Sequence, residues 1–75
     1  MIGINELMKE KGITPQALSR RMKDDKAPFN YSKNNWRNLR LGEVKPQDPY
    51  LYIYFAKILN VPVEKIIALY SNYLN

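Results

Sequence analysis

The polar residues between positions 33 and 38 have types and a spacing that suit hydrogen bonding to nucleic acid bases. Four of them fall on one face of a helix with a period of about 3.6 residues: Lys33, Asn34, Arg37 and Asn38. An asparagine amide can donate to and accept from adenine, lysine and arginine can reach guanine or phosphate, and a helix fits the major groove. The pattern therefore predicts a helix face that can read base pairs.

The other face of this helix predicts how it is anchored. Trp36 and Leu39 share that face, and both are expected to be core residues. Stacking of Trp36 on single-stranded bases is the alternative. A solvated helix face with no partner would also be polar, and charge alone would favour that interpretation. The order of the surrounding elements must therefore decide between a binding face and a merely solvated one.

Composition limits the chain to a small basic protein. With 75 residues it has room for one domain, residues 1–75, and one modest core. Twelve Lys and Arg against seven Asp and Glu give a net charge of +5, which favours a polyanionic partner. The excess of cations lies in the first two thirds of the sequence, because residues 47–75 hold two cations and two acids.

Several classes of function are excluded by what the sequence lacks. It has no Cys and no His, and we find no nucleophile elbow or glycine-rich phosphate loop, so we expect neither an enzyme nor a bound cofactor. Asp24 and Asp25 could form a metal or acid/base pair, but two adjacent carboxylates beside lysines indicate a solvated loop. No apolar run resembles a signal peptide or a membrane span, which predicts a cytoplasmic protein.

Hydrophobic periodicity and capping signals predict an all-α fold of five helices. Thr14 and Ser32 are candidate N-caps, and Gly12 and Gly42 are candidate stops. The fourth helix is apolar nearly all round, which is typical of a central helix. The predicted helices cover residues 4–11, 15–22, 33–41, 50–60 and 63–74.

With these elements in this order, residues 4–67 resemble the Cro and phage-repressor type of helix-turn-helix protein, the Xre family. The residues that carry the resemblance lie in four segments: GITPQALS from Gly12, SKNNW from Ser32, GEVKP from Gly42 and AKILNV from Ala56. The resemblance implies a compact lambda-repressor-like domain with a C-terminal helix extension at 68–75. It also implies a small, nucleoid-associated prokaryotic or phage-type regulator that binds double-stranded DNA as a homodimer.

The resemblance also implies roles for single residues. Base contacts would come from the third helix, and phosphate contacts from helix starts and flanking cations, where backbone N–H groups and positive charge attract phosphate. The implied base contacts are Lys33, Asn34 and Asn38, with secondary roles for Asn35 and Arg37. The implied phosphate contacts are Thr14, Gln16, Ser32 and Lys45, and Arg40 is a further phosphate candidate that follows from a departure from the family.

Three features depart from the family. Its helices 2 and 3 are joined by a tight turn of about four residues, whereas eight positions, 23–30, separate them here. An ion pair usual in the family is replaced by Arg40 and Met8, and Leu41 occupies an outward position near the end of the helix. These departures leave an alternative open: a protein-interaction module, such as an antirepressor that binds a repressor's DNA-binding domain.

Apolar residues beyond the family-like core predict a contact with another protein. A small domain has little surface of its own to cover them, so they could form a dimer interface. Capping of the core by the last helix is the alternative, and the aromatics at helical spacing from Tyr50 onward are more often core or interface than base-stacking residues. The candidate interface residues beyond that core are Leu69, Tyr70, Tyr73 and Leu74. Leu41, within the core segment, could pack against another protein or against the loop.

Overall fold

Five α-helices form the part of the chain that the computed structural model describes, residues 3–71, and no strand occurs in that range. The predicted all-α fold class and the number of helices are confirmed. In chain order the helices are α1 (Asn5–Glu10), α2 (Pro15–Asp24), α3 (Lys33–Leu41), α4 (Pro49–Leu59) and α5 (Val63–Leu69).

Local end signals set the bounds of α2 and α3. The Thr14 hydroxyl oxygen accepts a hydrogen bond from the Ala17 amide at 3.1 Å, and the Ser32 hydroxyl oxygen accepts one from the Asn35 amide at 3.2 Å. Both predicted N-caps are therefore confirmed. Gly42, with φ of 79°, ends α3 in the left-handed conformation, so the predicted bounds of this helix are confirmed as well.

The connection between α2 and α3 begins two residues later than the sequence predicted, because α2 continues to Asp24. The helix then ends in a Schellman motif, in which the Ala27 amide donates to the Met22 carbonyl and Lys26 adopts a φ of 52°. Glycine is the residue that usually occupies this position, because a Cβ is strained at positive φ.

This strained lysine gives a first testable prediction. Lys26→Gly is expected to raise the free energy of unfolding by about 0.5–1 kcal/mol, since relief of the left-handed strain exceeds the added flexibility of the unfolded chain. Chemical denaturation of the purified protein measures the change. Lys26→Ala is the matched control, because it removes the charge and keeps the Cβ. Equal stabilisation by both variants would assign the effect to charge and contradict the prediction.

The core lies between α1, α2, α4 and α5, and α3 contributes Leu39 to it. Phe29, from the connection, and Trp36 are half-buried and pack against its edge, so each covers the core without being enclosed by it. The buried residues are Ile4, Leu7, Met8, Leu18, Met22, Leu39, Leu51, Phe55, Ala56, Leu59, Ile66 and Tyr70.

Helix α4 is not the enclosed central helix that its sequence predicted. Leu51, Phe55 and Leu59 are buried and the helix packs against α5. On the other side, Tyr50 is 71% exposed and Ile53 is 54% exposed. The prediction fails because only one face of α4 is covered by the remaining helices, although nearly all of its residues are apolar.

Two distant segments hold the C-terminal end of α3. Gly3, with φ of 58°, lies directly against the backbone of Leu39, Arg40 and Gly42. From the other side, the buried hydroxyl of Tyr70 donates a short hydrogen bond to the Leu39 carbonyl oxygen. The position of α3 is therefore fixed by residues near both ends of the described range.

The last helix is shorter within the described range than the prediction, since α5 ends at Leu69. The sequence predicted a helix to residue 74, and Tyr73 and Leu74 lie outside the residues that the structure describes. No helix between residues 3 and 71 combines the length and the apolar content that a bilayer crossing would need.

Candidate nucleic-acid interface

Helix α3 presents its polar face outward because its other face is anchored. Leu39 is buried, and Trp36 is half-buried against Tyr31, with ring centroids 4.9 Å apart in an edge-to-face arrangement. The outward residues Lys33, Asn34 and Arg37 are exposed, and Asn38 is half-buried. The structure thus brings together the four residues that the sequence placed on one helix face, and it confirms that Leu39 belongs to the core.

The outward face of α3 is cationic and is not neutralised within the described part of the chain. Between residues 3 and 71 the ion pairs are Glu6 with Lys9 and Arg21 with Asp25, so the cations of α3 belong to neither. Partial burial, and then the nearby Arg37 guanidinium, lower the pKa of Arg40. Two guanidinium groups held close together in this way favour an anionic partner.

Leu41 occupies the outward side of α3 as the sequence predicted, and it is 37% exposed. Its position follows from the spacing, because residue 41 is four positions after Arg37. Apolar side chains in a DNA groove can contact thymine methyl groups, whereas in a protein interface they bury apolar area. This residue is therefore compatible with either kind of partner.

Asn35 lies on a different side of α3 from the other amides. It lines a groove of about 120 Å³ together with Lys45 and Gln47. The sequence assigned Asn35 a secondary base contact and Lys45 a phosphate contact, and the two are neighbours here. Gln47 also lines this groove, and the sequence analysis did not single it out. The left-handed Gly42 reverses the chain direction after α3, so the following loop runs back alongside the helix.

The other predicted phosphate contacts lie at helix starts. Thr14, Gln16 and Ser32 are all exposed, and the hydroxyl oxygens of Thr14 and Ser32 cap their own helices. Both hydroxyl groups keep a proton that can be donated to a phosphate oxygen. Ser32 directly precedes Lys33 at the start of α3. A phosphate bound there would contact both the Ser32 hydroxyl and the Lys33 ammonium group.

Met8 and Arg40 occupy different environments in the structure. Met8 is buried in the core, whereas Arg40 is half-buried at the end of α3. The core thus gains an apolar side chain at position 8, and the guanidinium at position 40 stays available to an anion on the α3 side.

The connection between α2 and α3 is largely exposed, as the sequence predicted, but Asp25 and Phe29 contact α4. Tyr54 donates a hydrogen bond to Asp25 at 2.9 Å, and Arg21 donates one to the same carboxylate oxygen at 3.1 Å. The rings of Phe29 and Tyr54 lie 5.6 Å apart. Tyr54 therefore joins the connection to α4 and limits how far α3 can turn relative to α2.

This network shifts two pKa values in opposite directions. The hydrogen bond from Tyr54, followed by the contacts with Arg21, lowers the pKa of Asp25. Burial, and then the hydrogen bond to Asp25, raise the pKa of Tyr54 to about 12. An unperturbed tyrosine titrates at about 10, so the folded protein favours the neutral phenol.

The raised pKa gives a second testable prediction. The stabilising contribution of Tyr54 is present below pH 10 and is lost as the pH rises toward 12, because the unfolded chain releases this proton first. We expect alkaline absorbance titration to show late tyrosinate absorbance that Tyr54→Phe lowers by the amount of one tyrosine. Burial also raises the pKa of Tyr52, so part of the late absorbance remains in this variant. Tyr50→Phe, at an exposed position, is the control. Late absorbance that is unchanged in Tyr54→Phe would contradict the assignment.

Of the predicted interface residues that the structure describes, one is enclosed in the core. Tyr70 is only 2% exposed and faces α3 inside the protein, so its assignment to an interface is wrong, and it caps the core instead. Leu69 is half-buried against the core. Helical spacing could not separate these two outcomes, because core and interface residues share the same apolar pattern. Tyr73 and Leu74 lie outside the described residues.

The chain was compared with protein-family models, with curated proteins and with solved structures, and no match was found in any of the three comparisons.

Proposed function

We propose that the protein binds double-stranded DNA in a sequence-specific manner, as a small prokaryotic or phage-type transcriptional regulator with a lambda-repressor-like helix-turn-helix fold. It would act by occupying an operator, without a catalytic step or a cofactor. Two copies would bind together, since a helix of nine residues reads only a few base pairs, and a two-fold pair reads two half-sites about one DNA turn apart.

The outward face of α3 is the observation that carries this proposal. Three cations and three amides occur on this short helix, which has no acid, and its cations form no ion pair within residues 3–71. A face of this kind is unfavourable in isolation, because like charges repel across one helical turn. A phosphate backbone removes that repulsion and releases its own counterions.

Different side chains would have different tasks in the complex. Lys33, Arg37 and Arg40 would provide affinity that falls with salt, because each cation displaces counterions from the duplex. Asn34 and Asn38 would provide sequence preference through paired hydrogen bonds to base edges. The groove beside Lys45 would bind the flanking backbone. Substitution of a phosphate-binding residue should therefore change the salt dependence of DNA affinity, and substitution of a base-contacting residue should change the sequence preference.

A protein partner is the second candidate, and exposed apolar residues near α3 favour it. Leu41 and Val44 are both more than one third exposed at the end of the helix and in the loop that follows. In an antirepressor, this end of α3 would bind a repressor's DNA-binding domain. Such a surface combines an apolar centre with a polar rim.

Selection of bound fragments from a random duplex pool tests the proposal. We expect enrichment of one motif with two-fold symmetry and half-sites about one turn apart. Binding to mixed DNA fragments at low salt separates the two candidates, because a basic groove-binding domain retains non-specific affinity there. Absence of binding at low salt, together with absence of enrichment, would reject DNA binding and favour the protein partner.

A further inference from the structure

The outer face of α4 is apolar and exposed. Tyr50 and Ile53 are the two most exposed large hydrophobic residues of the described chain. Tyr54 is half-buried beside them, and Lys57 is the single charged residue of α4. These four side chains, here named the α4 face, recur at the i, i+3, i+4 and i+7 positions and therefore line one side of the helix.

The connection before α3 extends the α4 face into a groove. Ala27, Pro28 and Phe29 form one wall, the α4 face forms the other, and the volume between them is about 450 Å³. Asp25 lies at the rim, where Arg21 and Tyr54 already bind its carboxylate. The groove thus has apolar walls, and Lys57 is a cation that forms no ion pair within residues 3–71.

We propose that the α4 face is covered by the same face of a second copy of this chain, with the two α4 helices antiparallel about a two-fold axis. In such a pair the axis passes between positions 53 and 54. Ile53 then meets its own counterpart and Tyr54 meets its own counterpart. Tyr50 lies against Lys57 of the partner subunit, and the reverse contact occurs at the other end.

The complementary chemistry of Tyr50 and Lys57 favours a second copy as the occupant. Positions 50 and 57 are equidistant from the axis. The ring of Tyr50 in each subunit therefore lies against the ammonium group of Lys57 of the partner subunit. A lysine over the face of a tyrosine ring is attracted by the ring quadrupole. The face is therefore complementary to itself, which is the requirement for a two-fold interface.

The biological role of this dimer rests on the proposed function, because a symmetric operator is bound by two α3 helices, one from each subunit. The pairing itself rests on the exposed residues of α4 and is measurable without DNA. It also replaces the surface predicted from the sequence, because Tyr70 is buried and the new contact lies on α4.

Sedimentation of the full chain in the absence of DNA is the first test. We expect a monomer–dimer equilibrium that Ile53→Lys weakens by about tenfold or more, because the two lysines would meet at the axis in an apolar contact. Ile67→Lys is the control at an exposed apolar position of α5, and it should leave the equilibrium unchanged. Circular dichroism confirms that both variants are folded. A monomer at every concentration, or equal weakening by both variants, would overturn the proposal.

Cysteine cross-linking tests the antiparallel geometry, and the chain has no native Cys to interfere. Under oxidation, a mixture of Tyr50→Cys and Lys57→Cys should form a disulfide dimer, whereas neither variant alone should do so to a comparable extent. Ile53→Cys alone should dimerise, since it faces itself. Efficient self-linking of Tyr50→Cys would indicate parallel helices and overturn the proposed arrangement.

The two proposals can fail separately. If Ile53→Lys is monomeric and keeps its low-salt affinity for DNA but loses its preference for paired half-sites, both are supported. If the wild-type chain pairs through α4 and binds no DNA at low salt, the proposed function fails and the α4 contact stands. If operator binding persists with two-fold symmetry while Ile53→Lys pairs normally, the α4 contact is wrong.

Discussion

Gly3→Ala is expected to lower the free energy of unfolding by about 2–4 kcal/mol, from left-handed strain together with overpacking. A Cβ at this position would lie 2.5 Å from the Arg40 carbonyl oxygen and 2.8 Å from the Leu39 carbonyl oxygen, and closer still to the Gly42 amide nitrogen. All three atoms belong to the backbone at the end of α3. Neither a rotamer change nor a small side-chain shift can relieve the contact.

Gly12→Ala is the matched control for this substitution. Gly12 also has a positive φ, of 70°, but a Cβ there would meet nothing within 4 Å. We therefore expect Gly12→Ala to cost about 1–2 kcal/mol, from backbone strain alone. Thermal or urea unfolding of the two variants side by side gives the difference. Equal losses would show that the contact between residue 3 and α3 carries no energy of its own.

Asn34→Ala is expected to weaken binding to the selected operator by about 1–3 kcal/mol and to relax the preference at one base pair. An alanine cannot form the paired hydrogen bonds that distinguish adenine from the other bases. Asn38→Ala should behave similarly at a neighbouring base pair. Quantitative binding to the operator and to single-base variants of it measures both effects.

Lys45→Ala is the control for base reading, because its expected contact is to phosphate. It should weaken binding to all sequences about equally and lower the salt dependence by about one unit of slope. If Asn34→Ala and Asn38→Ala also lose affinity equally on operator and random DNA, α3 does not read bases through these amides. The same titrations, carried out at several salt concentrations, separate the two kinds of contact.

Local signals made α3 predictable from the sequence. Ser32 and Gly42 lie at its two ends and act through bonds to backbone atoms a few residues away, so chain context could not override them. The same holds for Thr14 before α2. The outward position of Lys33, Asn34 and Arg37 follows from the period of the helix once Leu39 is buried.

Contacts between distant segments were beyond sequence reasoning. The periodicity of α4 showed apolar residues on every side, but not which side the other helices leave open, so the exposure of Tyr50 and Ile53 was missed. Tyr70 was assigned to an interface because its apolar spacing suits a core and an interface equally. The docking of Asp25 on Tyr54 joins residues 29 positions apart, and no local pattern predicts such a pair.

The attachment of α3 to Gly3 and Tyr70 has a consequence for synthesis on the ribosome. The Leu39 carbonyl receives its buried hydrogen bond from a residue 31 positions later in the chain. At about 5–20 residues per second, that partner is made roughly 2–6 seconds after Leu39. During this interval the nascent α3 already carries its cations but lacks its final support. Helix α3 is therefore expected to take its final position only after residue 70 leaves the exit tunnel, which would delay the proposed binding to an operator until then.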